Sequence, residues 1–199
     1  MWMVYITILV SYILGSIPTG YLLVKKLYGI DIRTKGSGNI GSTNVKRVAG
    51  TRASLITQAL DILKGAIPML AAIYITNRYR LPINKDLFLS LVALAAVIGH
   101  NYTIFLNFNG GKGVNTTLGA FIFLAPIPVV VGIILHLGLR KVLPVVAVRS
   151  IILGLAIAIT AIILGLSKPI VYACLVSAII MIVRHKKNII ELLGKNKKS

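Results

Sequence analysis

The chain has 199 residues, 57% of them hydrophobic, and carries 22 Lys and Arg against 4 Asp and Glu, a formal charge of +18. Carboxylates this scarce (Asp31, Asp61, Asp86 and Glu191) argue against mechanisms built on a carboxylate pair and against carboxylate-rich metal sites. The charge fits anionic lipid surfaces and anionic substrates, and the long apolar runs, with a mean hydropathy of +0.89, argue against a soluble nucleic-acid binder.

A transmembrane helix needs roughly 20 mainly apolar residues, and residues 3–24 supply the first. No cationic region precedes it and Lys25 and Lys26 follow it, which argues against a cleaved signal peptide. Gly15, Ser16, Pro18, Thr19 and Gly20 predict a kink in its second half. Residues 25–52 read as a polar loop holding Gly36-Ser37-Gly38-Asn39-Ile40-Gly41-Ser42-Thr43-Asn44-Val45-Lys46-Arg47. Its glycines let backbone N–H groups converge on one concavity, an arrangement that favours anions.

The second predicted span, 53–76, carries Asp61 and Lys64 on one helix face. Charges within a span are costly, so the two either neutralise each other beneath the loop or lend Lys64 to an anion site. A short polar turn at 77–86 leads to a third span at 87–106, ending in Gly99-His100-Asn101-Tyr102. Next comes a second glycine-rich segment around a cation, Asn109-Gly110-Gly111-Lys112-Gly113-Val114-Asn115-Thr116. The apolar stretch 114–141 is interrupted by Pro126 and Pro128, so it is either one kinked span or two short ones. Spans at 145–165 and 169–184 follow, then a basic tail from Arg184 to Ser199.

The positive-inside rule puts the 25–52 loop and the tail on the same, cytoplasmic side. Parity then requires an odd number of crossings, which is met if 114–141 makes two. The expected architecture is a single all-α, polytopic membrane domain over 1–199, with about seven transmembrane helices, some short. Its N-terminus is outside and its C-terminus cytoplasmic, and Lys112, Ser150 and His185 fall on the loop's side of the membrane.

Two tempting motifs fail on context. Gly36-x-Gly38-x-x-Gly41 matches the dinucleotide fingerprint, with Asp61 about 20 residues on, but no strand precedes it and Asp61 lies in an apolar span. The Gly110–Gly113 segment lacks the spacing of a phosphate loop of the Walker A type. What remains is two glycine loops, each with a cation and each followed by a helix, whose N-terminus favours anions. Glycines that merely mark turns, beside cations that merely set topology, explain one such loop better than two on one face. His136 and Cys174 lie in apolar runs and read as structural. His100 is either a packing residue or part of the site. His185, one helical turn before Asn188, is either a proton-transfer or ligand-orienting residue or part of a solvated tail. No His, Cys, Asp and Glu set has metal-ligand spacing. A small-anion transporter also uses broken helices and glycine loops, but the motifs cluster on one face and no inverted repeat is visible; a membrane scaffold leaves both loops unexplained.

Five segments together resemble the acyl-phosphate:glycerol-3-phosphate acyltransferase (PlsY) family: the 36–47 loop, Leu60-Asp61-x-x-Lys64-Gly65, Gly99-His100, Gly110-Gly111-Lys112-Gly113-Val114-x-Thr116 and Arg184-His185-x-x-Asn188-Ile189. The resemblance covers nearly the whole chain in order. Ser42 and Asn115 stand where the family commonly has alanine, Ala147 where the first of two serines is usual, Lys186 where Arg is usual, and Glu191 where a cation is common.

The resemblance implies a multi-pass enzyme of the bacterial inner membrane with its site facing the cytoplasm and no cofactor. It would move a fatty acyl group from acyl phosphate to the sn-1 hydroxyl of glycerol 3-phosphate, giving lysophosphatidic acid and phosphate among membrane lipids. It also implies functional coupling to an enzyme that makes acyl phosphate. On this reading Ser37, Gly38, Asn39, Thr43, Asn44 and Arg47 bind one phosphate. Lys112, with Gly110, Gly111, Gly113 and Thr116, binds the other and stabilises the oxyanion, while Ser150, His185 and Asn188 orient glycerol 3-phosphate. The hydroxyl proton goes either to the donor's own phosphate or to His185. A mixed anhydride is already activated, so positioning and charge neutralisation suffice.

Overall fold

The computed structural model describes residues 1–195, and all regular structure among them is helical. Lys197 and Lys198, counted in the basic tail, lie outside the described residues. The expected first span is two helices, α1 (Trp2–Ser16) and α2 (Thr19–Tyr28), broken at Ile17-Pro18. Proline has no N–H to continue the ladder. α2 stops at Gly29, whose φ of 66° supplies the left-handed helix end.

The polar loop is shorter than the sequence predicts. α2 takes its first residues, and α3 (Ser42–Arg78) takes residues 42–52. The glycines and polar side chains conceal a helix start, because Val45 is fully buried on its inner side. Gly50 is non-helical at φ 84° and ψ 179°, so the 42–49 turn bends against the body of the helix. Ser54 Oγ then donates to the Ser42 carbonyl at 2.8 Å and fastens the bend.

α4 (Lys85–Asn101) opens on Asn84, whose side chain accepts from the Leu87 amide. The 114–141 stretch is two short helices, α5 (Val114–Phe121) and α6 (Pro126–Gly138), with Pro126 in the first turn of α6, where its missing N–H costs nothing. α7 (Val146–Ile163) and α8 (Lys168–Arg184) follow, and α9 (Lys186–Lys195) turns away from α8 by 53°.

Among the described residues, four segments are long and apolar enough to cross a bilayer: Trp2–Tyr28 across its break, α3, Lys85–Leu106 and α7; the bent α8–α9 pair makes a fifth. The expected seven crossings count α5 and α6 as well. At 1.5 Å per residue these reach only about 12 and 20 Å, against a hydrocarbon core of roughly 30 Å. Both are held from within: Phe121, Ala125 and Val129 are buried in the core that α4 organises with Phe88, Val92 and Val97.

Outer faces stay apolar. Leu9 and Ile13 on α1, Leu63 and Ile67 on α3, and Ile159 on α7 are all exposed, more than a water-soluble surface carries in contiguous patches. Lipid gives helices no hydrophobic reason to associate, so close backbone contact has to hold them. α1 and α4 cross where a side chain on Gly99 would strike the Tyr12 carbonyl, and α3 and α5 cross where one on Gly119 would strike the Ile62 carbonyl. Gly99→Val is expected to lower the melting temperature of the detergent-purified protein sharply, because backbone cannot yield to the added methyls. Gly138→Ala, where an added methyl meets nothing within 4 Å, is the matched control and is expected to melt like the parent chain.

Candidate active site

The site grows from helix ends. Breaking α1 at Pro18 frees carbonyls in the interior, where each needs a partner. Lys64 Nζ donates to the Ile17 carbonyl at 2.8 Å, and the Thr103 hydroxyl donates to the Ser16 carbonyl at 2.5 Å. Lys64 also pairs with Asp61 at 2.9 Å, and Thr19 Oγ1 donates to Asp61 Oδ1 at 2.6 Å. Of the two readings of Asp61 and Lys64, the geometry therefore favours mutual neutralisation, with Lys64 spent on the helix break.

Asp61 also faces His100, whose Nδ1 lies 3.6 Å away. The second glycine segment sits on this histidine. The Gly111 amide donates to the His100 carbonyl at 2.9 Å, and the Gly110 amide to the Asn101 carbonyl at 3.1 Å. A Cβ on Gly111 would collide with the His100 imidazole, and one on Gly110 with the His100 carbonyl. Two glycines are therefore required by contact with α4. Gly113 at φ 79° then turns the chain into α5.

Arg184 clamps the segment from the other side. Its Nε donates to the Gly111 carbonyl at 3.0 Å and its Nη2 to the Gly110 carbonyl at 2.8 Å, and its guanidinium lies 5.1 Å from the Tyr102 ring centre. Sequence reasoning assigned Arg184 and Tyr102 no role in the site, although both stand inside quoted motifs. The clue was that a glycine loop at the end of a buried helix has carbonyls to satisfy, with an arginine beside His185 to satisfy them.

Between these supports Lys112 extends to Asn188 on α9, Nζ donating to Asn188 Oδ1. Burial holds the lysine pKa below its ordinary value; Glu191 offsets this, and the charges of Arg47 and Arg184 add to it. His185 is buried at the α8–α9 bend with Nδ1 2.8 Å from the Met181 carbonyl. That contact assigns the ring proton to Nδ1 and leaves Nε2 as an acceptor. Lys112 lies near enough for its charge to act on the ring.

The first glycine loop is shaped by Asn44. Its Oδ1 accepts from the Ser37 amide at 2.9 Å, and its Nδ2 donates to the carbonyls of Lys35 at 3.0 Å and Asn39 at 2.9 Å. Expected as a phosphate donor, Asn44 is buried and its amide is committed to the loop's own backbone. Asn39 Oδ1 accepts from the Gly41 amide at 2.9 Å, and Gly38 holds φ 70°. Ser37, Thr43 and Arg47 stay exposed around the N-terminus of α3, and Arg47 lies close enough to act on the charge of Lys112. Thr116 is buried with an unpartnered hydroxyl among the described residues. Ser150 is buried near the start of α7, and no hydrogen bond joins it to Lys112, His185 or Asn188. His136 lies apart from the cluster and accepts from Arg149 through its carbonyl, and Cys174 is buried in the core. An apolar groove of about 430 Å³ opens between the α1–α2 break and α3, lined by Leu22, Leu60, Leu63, Ile67, Lys26 and Lys64. No metal-binding cluster occurs among the described residues.

Fold and site together define a membrane protein, all-helical among the described residues, whose broken helices bring together two glycine segments and several cations. The family model described as glycerol-3-phosphate acyltransferase matches residues 5–195. A glycerol-3-phosphate acyltransferase of Clostridium acetobutylicum is 51% identical over 198 residues, covering 100% of both chains. One of Geobacter sulfurreducens is 41% identical over 180 residues, covering 90% of this chain and 89% of its own. The crystal structure of PlsY (YgiH), an integral membrane glycerol 3-phosphate acyltransferase in its glycerol 3-phosphate form, superposes with a TM-score of 0.87 at 31% identity, covering 96% of this chain and 92% of that one. Its lysophosphatidic acid form superposes with a TM-score of 0.84. The chain belongs to the glycerol-3-phosphate acyltransferase family.

Replacing Arg184 with Ala frees the second glycine segment and is expected to cost roughly 100-fold in kcat, because Lys112 loses its placement. Arg184→Lys recovers only part of this, since an ammonium cannot fork to both carbonyls. Steady-state kinetics of the two variants check the pair.

Proposed function

We propose that this enzyme transfers a fatty acyl group from acyl phosphate to the sn-1 hydroxyl of glycerol 3-phosphate. The observation that carries the reading is Lys112, set in the second glycine segment, held against Asn188 and beside His185, with Ser37, Thr43 and Arg47 of the first segment exposed. Two phosphate-bearing substrates account for two such segments. The glycerol 3-phosphate and lysophosphatidic acid forms of the solved relative support an acceptor and product of the same kind.

In the proposed reaction the hydroxyl oxygen attacks the acyl carbonyl carbon, and the carbonyl C–O bond to phosphate breaks. The bonding pair leaves with phosphate, and the hydroxyl proton ends on that phosphate. Ser37, Gly38, Asn39, Thr43 and Arg47 hold one phosphate in the loop that Asn44 shapes. Lys112, flanked by Gly110, Gly111 and Gly113 and followed by Thr116, neutralises the other and the developing oxyanion. Ser150 and Asn188 orient the acceptor with His185, whose free Nε2 accepts from the glycerol 3-phosphate hydroxyl that does not attack. His185 thus orients the acceptor, and the phosphate takes the proton of the attacking hydroxyl. The lipid-facing groove lined by Leu60, Leu63 and Ile67 gives the acyl chain its place.

In this reading α5 and α6 complete seven crossings, with the N-terminus outside and both glycine segments facing the cytoplasm of a bacterial inner membrane. An enzyme that makes acyl phosphate supplies the donor.

Purified protein given palmitoyl phosphate and radiolabelled glycerol 3-phosphate is expected to form labelled lysophosphatidic acid. Formation from palmitoyl-CoA but not palmitoyl phosphate would overturn the donor assignment. Lys112→Ala is expected to lower turnover by at least about 100-fold while keeping the parent's melting temperature. With its Nδ1 proton committed to the Met181 carbonyl, His185 positions the acceptor and takes no proton in this reading. His185→Ala should therefore lower kcat without moving the inflections of the pH–rate profile; loss of an inflection would make His185 the base.

A further inference from the structure

Ser42 and Asn115, 73 residues apart, meet in space. Asn115, in the first turn of α5, donates from Nδ2 to Oγ of Ser42, the first residue of α3, at 3.2 Å. This bond directly joins the helix that follows the first glycine segment to the one that follows the second. We propose that Asn115 and Ser42 form a positioning tie that sets the separation of the two phosphate cradles, an inference that rests on the transfer reaction proposed above.

Both helix N-termini carry partial positive charge, and Arg47 and Lys112 add full charges on the same side, so the two segments repel each other when no substrate is bound. An amide–hydroxyl tie resists that repulsion and adds no charge of its own. A carboxylate in the same place would hold the ends together and also cancel the field that attracts phosphate. The tie also orders the serine. Its oxygen is the acceptor from Asn115, which fixes the side chain at the start of α3. The Ser42 carbonyl is meanwhile held by Ser54 at 2.8 Å, so the tie pulls on a fixed point of α3.

A reaction between two bound phosphate-bearing molecules is sensitive to their spacing, because small misplacements lower the rate far more than they weaken binding. Asn115→Ala and Ser42→Ala are each expected to lower kcat about tenfold, with little change in the KM of either substrate. The double variant is expected to fall no further than either single one, since both remove the same bond. Ser42→Thr keeps the hydroxyl and should retain most of the parent rate. Asn115→Asp can still bond the serine, now as acceptor, but its charge should raise the KM for glycerol 3-phosphate.

The set is measured with palmitoyl phosphate and glycerol 3-phosphate, alongside melting temperatures. Single-variant losses that multiply in the double variant, or single variants that turn over like the parent, would overturn the tie. Losses matched by lowered melting temperatures that Ser42→Thr fails to rescue would also overturn it, by reducing the pair to a structural role. An inactive parent enzyme would instead remove the transfer reaction on which the inference rests.

Discussion

A helix broken inside a membrane leaves backbone groups that no water can satisfy, and the rest of this structure follows from how the protein satisfies them. The break at Ile17-Pro18 frees carbonyls that Lys64 and Thr103 reach from other helices. Lys64 requires Asp61 beside it, Asp61 holds Thr19 and faces His100, and His100 supports the glycines that carry Lys112. Each polar residue in this chain is present because the one before it is buried. Removing one member leaves an unpaired charge or dipole in low dielectric, which costs more than the pair was worth.

This arrangement also resolves the imbalance between cations and acids. Two of the four acids are committed internally, Asp61 to Lys64 and Asp31 to Arg33, the latter bonding its carboxylate at 2.6 Å and holding its pKa at about 2. The cations around the glycine segments are mostly left without carboxylates, so their charge is available to anionic ligands. Arg184 differs. It is spent on loop carbonyls and on Tyr102, so its contribution is position as well as charge. In the proposed reaction, cations that shape the site are thus separate from cations that face the substrate, and Arg47 and Lys112 are assigned to the second group.

Much of this was legible in the sequence. Apolar run lengths placed the long helices, and the Pro126–Pro128 interruption marked the division between α5 and α6. The glycine segments located the site because few other residue types allow backbone to approach a helix as Gly110 and Gly111 approach His100. Polar composition misled at 42–52, where glycines and hydroxyls suggested a loop. Val45 buries there, and Gly50 folds a helical turn back on itself, a three-dimensional fact with no periodic signature. The structural part played by Asn44 was hidden for a related reason. Its residue type fits a phosphate donor, and only the folded loop shows its amide saturated by carbonyls of Lys35 and Asn39. The meeting of Ser42 with Asn115, 73 residues apart, leaves no trace in either local pattern.

The central claim is that two glycine segments, distant in sequence, form one site for two phosphates. Hydrogen–deuterium exchange of the backbone amides tests this most directly, measured with and without glycerol 3-phosphate and a non-reactive acyl phosphonate together. Exchange is expected to slow in both 36–43 and 110–113 when both ligands are present. Exchange unchanged in either segment, under conditions where the enzyme turns over, would contradict it.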